Sequence, residues 1–254
     1  TLVVRRESDG IRRYVHLATG NYNGKTARIY TDVGILTADQ AIGEDASAFF
    51  NLLSGYFESP SWKKLAVAPY DLREQLYLSI DREISVAKAG KKAVIIAKMN
   101  SLLDRHVIDR LYEASQAGVI VRLIVRGICV LRPGVTGLSE NISVHSIVGR
   151  FLEHSRLFYF YNDGAEDVFI SSADWMPRNL NERIELLVPV EYGPHKERIK
   201  EILRLNYEDN VNGHIMDQNG EYTYLADNRT GPAVNAQETF QQLAERAVSG
   251  PENG

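Results

Sequence analysis

Hydrophobic positions divide the chain into two parts, and the first part alternates at the spacing of strands. Two short strands, Thr1 to Arg5 and Ile11 to Leu17, flank a predicted turn at Ser8-Asp9-Gly10. A Gly- and Asn-rich loop follows, and a run at helical spacing then extends from Asp39 to about Tyr56. Ser59-Pro60-Ser61 interrupts both periodicities, so this tripeptide is the predicted domain boundary.

Strand and helix patterns alternate in the second part of the chain. The apolar run Leu65 to Ala68 precedes an amphipathic helix whose apolar positions extend from Leu72 to Ala87. Ala93 to Ala97 reads as a buried strand, and the next helix carries apolar residues from Val107 to Ala114. Val119 to Val125 is again a buried strand. This βαβαβ order predicts parallel strands that are covered by helices.

The strand pattern continues before the chain becomes polar. Further strands are predicted at Ile142 to Val148, Arg156 to Tyr161, Val168 to Ser171 and Ile184 to Val190. The Asn162-Asp163-Gly164 turn predicts a hairpin. The last clear helix runs from Pro194 to about Asp209. Residues 226–254 are expected to form a partly disordered tail, with a short helix near Gln237 to Val248.

Composition is that of an ordinary globular protein. The 254 residues are 44% hydrophobic and 24% charged, with a net charge of −4, so a polyanionic ligand must meet a local positive patch. The single cysteine, Cys129, excludes an internal disulfide framework and favours a reducing cytoplasmic location. Peripheral association with a membrane stays open, although no run reaches the ~20 apolar residues that span a bilayer.

Common catalytic motifs are missing from the sequence. It contains no GxxxxGK[ST] loop, no HExxH or paired CxxC, and no GxSxG elbow. These absences leave a P-loop kinase, a dedicated zinc site and an α/β-hydrolase unsupported.

A histidine and an arginine two residues apart are the first candidates for chemistry. His154 and Arg156 fall in one predicted strand, so both side chains should project from one face of the sheet. They would face Ser171, Ser172 and Asp174 on the paired strand. Arginine binds phosphate through a charged fork, and imidazole can accept a phosphoryl group or move a proton. The alternative is a half-buried surface histidine near a salt bridge.

Three other residues are candidates because of their position. Arg126 ends a buried parallel-type strand, the place where anionic ligands collect, although it could equally be a solvated arginine. Tyr30 could stack on a base or serve as a core tyrosine. Asn21 lies in a loop, Thr19 to Tyr22, whose pattern is echoed by Ser171 to Trp175. The echo fits either two chance turns or a duplicated half-site.

Four separated segments together resemble one family. They are YVHLATGNYNGKTARIYTD (Tyr14 to Asp32), LIVRGICVLRPG (Leu123 to Gly134), FLEHSRLFYF (Phe151 to Phe160) and SSADWMPRN (Ser171 to Asn179). In this order they resemble the C-terminal catalytic region of the long polyphosphate kinases, which share the phospholipase D fold. The resemblance runs from the first residues to about Leu225.

The resemblance implies roles for the candidate residues. His154 with Arg156 looks like the second HxK-type motif of the family, with arginine in place of lysine. In the family, the histidine at this position contacts the nucleotide and is proposed to assist proton transfer. Arg126 matches a nucleotide-binding arginine and Tyr30 a tyrosine that contacts ATP. Asn21, Ser172 and Asp174 are possible supporting residues.

The resemblance also implies a reaction for the whole enzyme. It is the reversible transfer of the ATP γ-phosphate to polyphosphate through a phosphohistidine, with Mg²⁺ as cofactor and ATP or ADP as substrate. The phosphorylated histidine belongs to an HAK motif upstream of Thr1, and His16 is not that position. The chain is therefore expected to be a fragment that is inactive alone. No metal site is expected within it, because the magnesium-site arginines also lie upstream.

The fold expected from the resemblance is α/β, with phospholipase-D-like mixed sheets flanked by helices. Residues 1–60 would end a first such domain, residues 61–225 would form a complete second one, and residues 226–254 would be the tail. A homo-oligomer with no nucleic-acid partner is expected. Two other functions remain open from the residues, namely a phospholipase-D-type phosphodiesterase and a non-catalytic polyphosphate-binding module.

Overall fold

The computed structural model describes residues 1–55 and 61–249, which form an α/β fold. The strands are β1 (Leu2–Glu7), β2 (Gly10–Ala18), β3 (Tyr30–Thr31), β4 (Gly34–Thr37), β5 (Ala66–Ala68), β6 (Val94–Met99), β7 (Ile120–Val125), β8 (Ile142–Ile147), β9 (Leu152–Glu153), β10 (Arg156–Phe160), β11 (Asp167–Ser171), β12 (Glu185–Pro189), β13 (Gly213–Met216) and β14 (Tyr222–Tyr224). The helices are α1 (Gln40–Leu53), α2 (Leu72–Lys88), α3 (Arg105–Gln116), α4 (Pro177–Asn181), α5 (Gly193–Glu208) and α6 (Ala236–Ser249).

The larger sheet of the described ranges has nine strands, ordered β14-β13-β8-β7-β6-β10-β11-β12-β5. Its centre is parallel, because β6, β7 and β8 run in one direction, and its flanks are antiparallel. Parallel neighbours need a crossover connection, and α3 supplies the one between β6 and β7. The carboxyl ends of β6 and β7 therefore meet at one edge of the sheet, where Asn100 and Arg126 follow them.

Helices cover both faces of this sheet. The first face is covered by α2 and α3, whose predicted apolar positions are fully buried at Leu72, Leu76, Ile80, Val107, Leu111 and Ala114. The second face is covered by α5 together with β2 and α1. Side-chain caps start two of the helices, since Asp39 accepts the Ile42 N–H (2.9 Å) and Asp104 accepts the Val107 N–H (3.1 Å). Among the described residues, no helix is long and apolar enough to cross a membrane.

The amino-terminal segment packs β2 and α1 on the large sheet, and it also pairs with the rest of the chain through a very short ladder. Its strands β1, β2 and β4 form an antiparallel sheet, as the alternation predicts for the first two. Strand β3 leaves this sheet and pairs in parallel with β9, Tyr30 opposite Leu152 and Thr31 opposite Glu153. Residues 122 positions apart are thereby brought into contact.

The structure corrects one topological prediction and confirms others. The strand at Ala66–Ala68 was expected to be parallel to its successors, but it pairs antiparallel with β12 at the sheet edge. Periodicity identifies strands but not their neighbours, and here β10, β11 and β12 separate β5 from β6. The α/β class, the β10–β11 hairpin and the short tail helix are confirmed. Ser59 and Pro60 of the predicted boundary, and Tyr56, lie outside the described residues, and the three-part division stays a prediction.

Candidate active site

His154 lies in the gap between β9 and β10, where the short ladder ends. Its backbone N–H donates to Thr31 O (3.3 Å), and its Nδ1 lies 2.9 Å from Oδ1 of Asp32. The Tyr30 ring rests against the imidazole, with 4.6 Å between ring centroids. Three consecutive residues at β3 therefore surround this histidine.

Arg156 is a buried cation, 8% exposed, that ties two loops together. Its Nε and Nη2 donate to the two oxygens of Asp174 at 3.2 and 3.0 Å, a bidentate pair that fixes the guanidinium plane. Its Nη1 donates to the carbonyl oxygens of Thr19 (3.2 Å) and His154 (2.9 Å). The loop after β2 and the loop after β11, which resemble each other in sequence, thus meet at Arg156.

The guanidinium of Arg156 also lies over the face of the His154 ring. Its Nη1 is 3.3 Å from Nδ1 and 3.1 Å from Nε2. These two nitrogens flank one ring carbon, so an atom almost equally distant from both at this range cannot lie in the ring plane. The in-plane direction of Nδ1 is left for Asp32. With Nδ1–H donated to that carboxylate, Nε2 is the nitrogen that can accept a proton.

Asp32 is held as a carboxylate by its neighbours. Thr19 Oγ1 donates to the same Oδ1 at 2.7 Å. Burial alone would raise the pKa of Asp32, but hydrogen bonds from His154 and Thr19 more than offset it, and the pKa lies below the ordinary value. The charges of His154 and Arg156 act in the same direction. A β-carbon on Gly20 would come within 2.2 Å of Oδ2, so a glycine lets the loop pass this carboxylate.

Asn100 connects the site to Arg126. Its Oδ1 accepts from Nε (3.0 Å) and Nη2 (2.8 Å) of Arg126, and its Nδ2 donates to His154 O (3.1 Å) and Asp174 Oδ1 (3.2 Å). Because the partner amide is neutral, the charge of Arg126 is oriented without being neutralised. Within residues 1–55 and 61–249, no ion pair involves Arg126.

The structure brings some predicted residues together and separates others. Tyr30, His154, Arg156 and Asp174 form one cluster, with Arg126 attached through its amide partner. Ser172 does not face this cluster: its hydroxyl donates to the Glu185 carboxylate and accepts the Leu186 N–H (3.0 Å). Asn21 is exposed, and in the described part of the chain no hydrogen bond joins its side chain to the cluster.

One geometric prediction about the pair is wrong. His154 and Arg156 do not share a strand, since His154 follows β9, which pairs with β3, whereas Arg156 begins β10, which pairs with β6 and β11. The strand breaks where Lys98 Nζ bonds to Ser155 Oγ (2.8 Å) and His154 N–H turns to Thr31. The two side chains still meet, through the ring-face contact.

Sequence reasoning missed two residues that hold the site together. Asp32 was passed over although it closes a motif that carries Tyr30. Asn100 directly follows a buried strand, and the same strand-end argument that selected Arg126 would have selected it. Contacts over 122 positions leave no trace in local spacing, which is why Asp32 could not be paired with His154.

The acidic residues of the site do not form a metal centre. Among the described residues, no group of three or more His, Cys, Asp or Glu side chains converges as metal ligands do. Asp32 is already bonded to His154 and Thr19, and Asp174 to Arg156. The donors present therefore do not fit a bound Mg²⁺.

Comparisons with known proteins identify the family of this chain. The family described as Polyphosphate kinase C-terminal domain 2 matches residues 65–237, and Polyphosphate kinase C-terminal domain 1 matches residues 1–59. A polyphosphate kinase from Halalkalibacterium halodurans is 52% identical over 97% of this chain. The chain spans 35% of that relative, about a third of its length.

One solved structure supports the same family. The crystal structure of a polyphosphate kinase from Porphyromonas gingivalis aligns over 98% of this chain and 38% of its own, with a TM-score of 0.89 and 39% identity. Nuc from Salmonella typhimurium, a phospholipase D family member, aligns over 61% of this chain and 97% of its own, with a TM-score of 0.46 and 13% identity. The chain therefore belongs to the polyphosphate kinase family and corresponds to a C-terminal region of its long members.

Proposed function

We propose that the complete polypeptide transfers the terminal phosphoryl group of ATP to polyphosphate, and in reverse from polyphosphate to ADP. The observation that carries the proposal is the Asn100 amide, which links Arg126 to His154 and Asp174. A guanidinium that has no carboxylate partner among the described residues is thereby linked, through one amide, to the backbone of the residue that carries the oriented imidazole, at the carboxyl edge of a parallel sheet. This is the combination that phosphoryl transfer needs, because the transition state spreads negative charge over its equatorial oxygens.

In this proposal each group has a separate task. Arg126 binds nucleotide phosphate, and Tyr30 contacts the nucleotide. Arg156 has five N–H donors, and four are used by Asp174, Thr19 and His154, so one remains for phosphate. Its main task is then to fix the imidazole.

The phosphohistidine itself is assigned to a histidine outside this chain, as the resemblance implies. A nitrogen of that imidazole attacks the γ-phosphorus in line, and the bond from this phosphorus to the bridging oxygen of ADP breaks. His154 manages the proton of the entering or leaving phosphate through Nε2 while Asp32 holds Nδ1–H. The anhydrides on either side have similar energy, which makes the reaction reversible.

The proposed function also implies substrates, an oligomeric state and a cellular location. ATP, ADP and polyphosphate are the substrates, and the protein is a cytoplasmic homo-oligomer with no nucleic-acid partner. Mg²⁺ would enter with the nucleotide rather than on ligands of this chain. Asn21 and Ser172 would have at most a supporting role, because Ser172 bonds to Glu185 and Asn21 is exposed.

Isotope tracing in the complete polypeptide tests the proposal. With γ-labelled ATP we expect an acid-labile, base-stable phosphoenzyme and labelled polyphosphate, and with ADP and polyphosphate we expect ATP. His154→Gln should reduce turnover by about 100-fold or more, whereas the exposed His195→Gln should not. Hydrolysis of a phosphodiester with no transfer to polyphosphate would contradict the proposal and support the phosphodiesterase alternative.

A further inference from the structure

Gln237, the second residue of α6, is buried beside the segment that leads into His154. Its Oε1 accepts the Phe151 N–H (3.0 Å), and its Nε2 donates to Phe151 O (2.9 Å) and to Glu153 Oε1 (2.7 Å). One side chain thus satisfies both backbone groups of Phe151, as a neighbouring strand would. It replaces a ladder partner at the start of β9.

The backbone before this segment is shaped around the same amide. A β-carbon on Gly149 would lie 2.6 Å from Oε1 of Gln237 and 3.0 Å from its Cδ. Any side chain at this position would push the amide away from Phe151. The glycine at this position therefore leaves room for the Gln237 amide.

A buried polar network continues from the amide to both neighbours of His154. Glu153 Oε2 accepts from Thr31 Oγ1 (3.0 Å) and pairs with Lys98 Nζ (3.0 Å). Lys98 is 1% exposed and also donates to Ser155 Oγ at 2.8 Å. A buried network whose members all have partners is rigid, and removal of one partner is costly.

The ladder that this network surrounds has little strength of its own. Strands β3 and β9 contain two residues each. The amides that cross between them include Leu152 N–H to Ile29 O (2.8 Å) and His154 N–H to Thr31 O (3.3 Å). So few backbone hydrogen bonds cannot fix the register alone, and the side-chain contacts must supply the rest.

We infer that Gln237 is a positioning residue for the active site. By clamping Phe151 and Glu153, it keeps the β3–β9 ladder in register and thereby keeps Asp32 against His154. The tail helix is thus part of the catalytic framework through its first turn. The effect on turnover rests on the proposed function, whereas the effect on ladder register does not.

The test uses the complete polypeptide with Gln237→Met, which keeps the side-chain volume and removes all three hydrogen bonds. The matched control is Gln242→Met, an exposed glutamine on a different face of the same helix. Hydrogen exchange should accelerate at least about tenfold at the amides of residues 151–154 in Gln237→Met only. For phosphotransfer, we expect kcat to fall at least about tenfold with KM changed less than about twofold.

The outcomes separate the inference from the proposed function. Unchanged exchange at residues 151–154 in Gln237→Met would overturn the inference, and so would faster exchange spread over the whole chain, which would mark a general structural role. If the unsubstituted protein transfers no phosphate, the proposed function fails, and local exchange still decides the role of Gln237. If hydrogen exchange accelerates only at residues 151–154 and kcat does not change, the register of the ladder does not position the site, and the inference fails.

Discussion

Asp32 and His154 meet across the ladder of β3 and β9, with Oδ1 of Asp32 2.9 Å from Nδ1 of His154. They lie 122 positions apart in the chain. The orientation of the imidazole is therefore set in part by the amino-terminal segment, through Asp32, and in part by Arg156 against the ring face. This contact brings the two segments together at the candidate site.

Asp32→Asn should impair catalysis more than folding. The amide keeps the shape of the side chain but favours the wrong imidazole tautomer and removes the stabilising charge. We expect kcat of the complete polypeptide to fall by about 100-fold or more with a nearly unchanged melting temperature. Asp9→Asn, an exposed aspartate paired with Arg12, serves as the control. Equal activity of the two variants would show that the Asp32–His154 contact is not used.

The close approach of Gly20 to Asp32 can be tested with two substitutions in the same loop. In Gly20→Ala the new β-carbon would overlap Oδ2 of Asp32, 2.2 Å away, and displace the carboxylate from His154. Gly24→Ala is the matched control, because nothing lies within 4 Å of its β-carbon position. Steady-state assays should show a loss of about tenfold or more in kcat for the first variant only. Comparable rates for both would contradict the described loop path.

Removal of the Arg156 guanidinium should destabilise the fold. In Arg156→Ala, Asp174 would remain buried without its bidentate partner. Breaking a buried ion pair in this way costs about 3 kcal/mol or more of unfolding free energy. The exposed pair of Arg105 with Asp109, 3.7 Å apart, is the control, and Arg105→Ala should cost under about 0.5 kcal/mol. Urea titration of the chain measures the unfolding free energy of both variants. Similar losses in the two variants would contradict the burial of the Arg156–Asp174 pair.

A buried histidine predicts a pH dependence of stability. Burial, followed by the charge of Arg122, lowers the pKa of His145 to about 4, while its ring stacks on Tyr207 at 4.1 Å. The unfolded chain has an ordinary histidine pKa of about 6.5, so it binds more protons than the native state between these values. Stability therefore falls as pH drops through this window, by about 3 kcal/mol for this group.

Replacement of His145 tests the predicted direction of this pH dependence. His145→Phe keeps an aromatic ring against Tyr207 but cannot bind a proton. Urea unfolding at pH 7 and pH 4.5 should give a smaller loss of stability for His145→Phe than for the unsubstituted chain. His106→Gln, on the exposed surface of α3, should keep the full loss. A loss that is equal in all three proteins would show that His145 does not contribute.

The sequence predicted local structure well because local structure follows periodicity. The apolar spacing of α2 and α3 and the buried runs of β6 and β7 correspond to the observed elements. The position of β5 at the sheet edge could not be predicted, because periodicity does not record which strands pair. The break between β9 and β10 could not be predicted either, because it depends on a parallel partner, β3, that lies far away in the chain.

In the candidate site, too, local features were predicted and long-range contacts were not. Arg126 was found from its place after a buried strand, and His154 with Arg156 from their spacing. The structure adds what joins them: the amide of Asn100 and the carboxylate of Asp32. Both act through contacts between distant segments, and neither residue type is distinctive by itself. The sequence thus identified the charged groups and Asp174, but not Asn100 and Asp32, which orient Arg126 and His154.

Calorimetry of ADP binding to the chain tests most directly whether these side chains form a phosphate site. The measurement compares the unsubstituted chain with Arg126→Ala and with the surface variant Arg105→Ala. We predict that Arg126→Ala raises the Kd for ADP at least about tenfold, or about 1.4 kcal/mol, while Arg105→Ala leaves it unchanged. ADP affinity that is the same in all three proteins would contradict the assignment of Arg126 and of the cluster around His154.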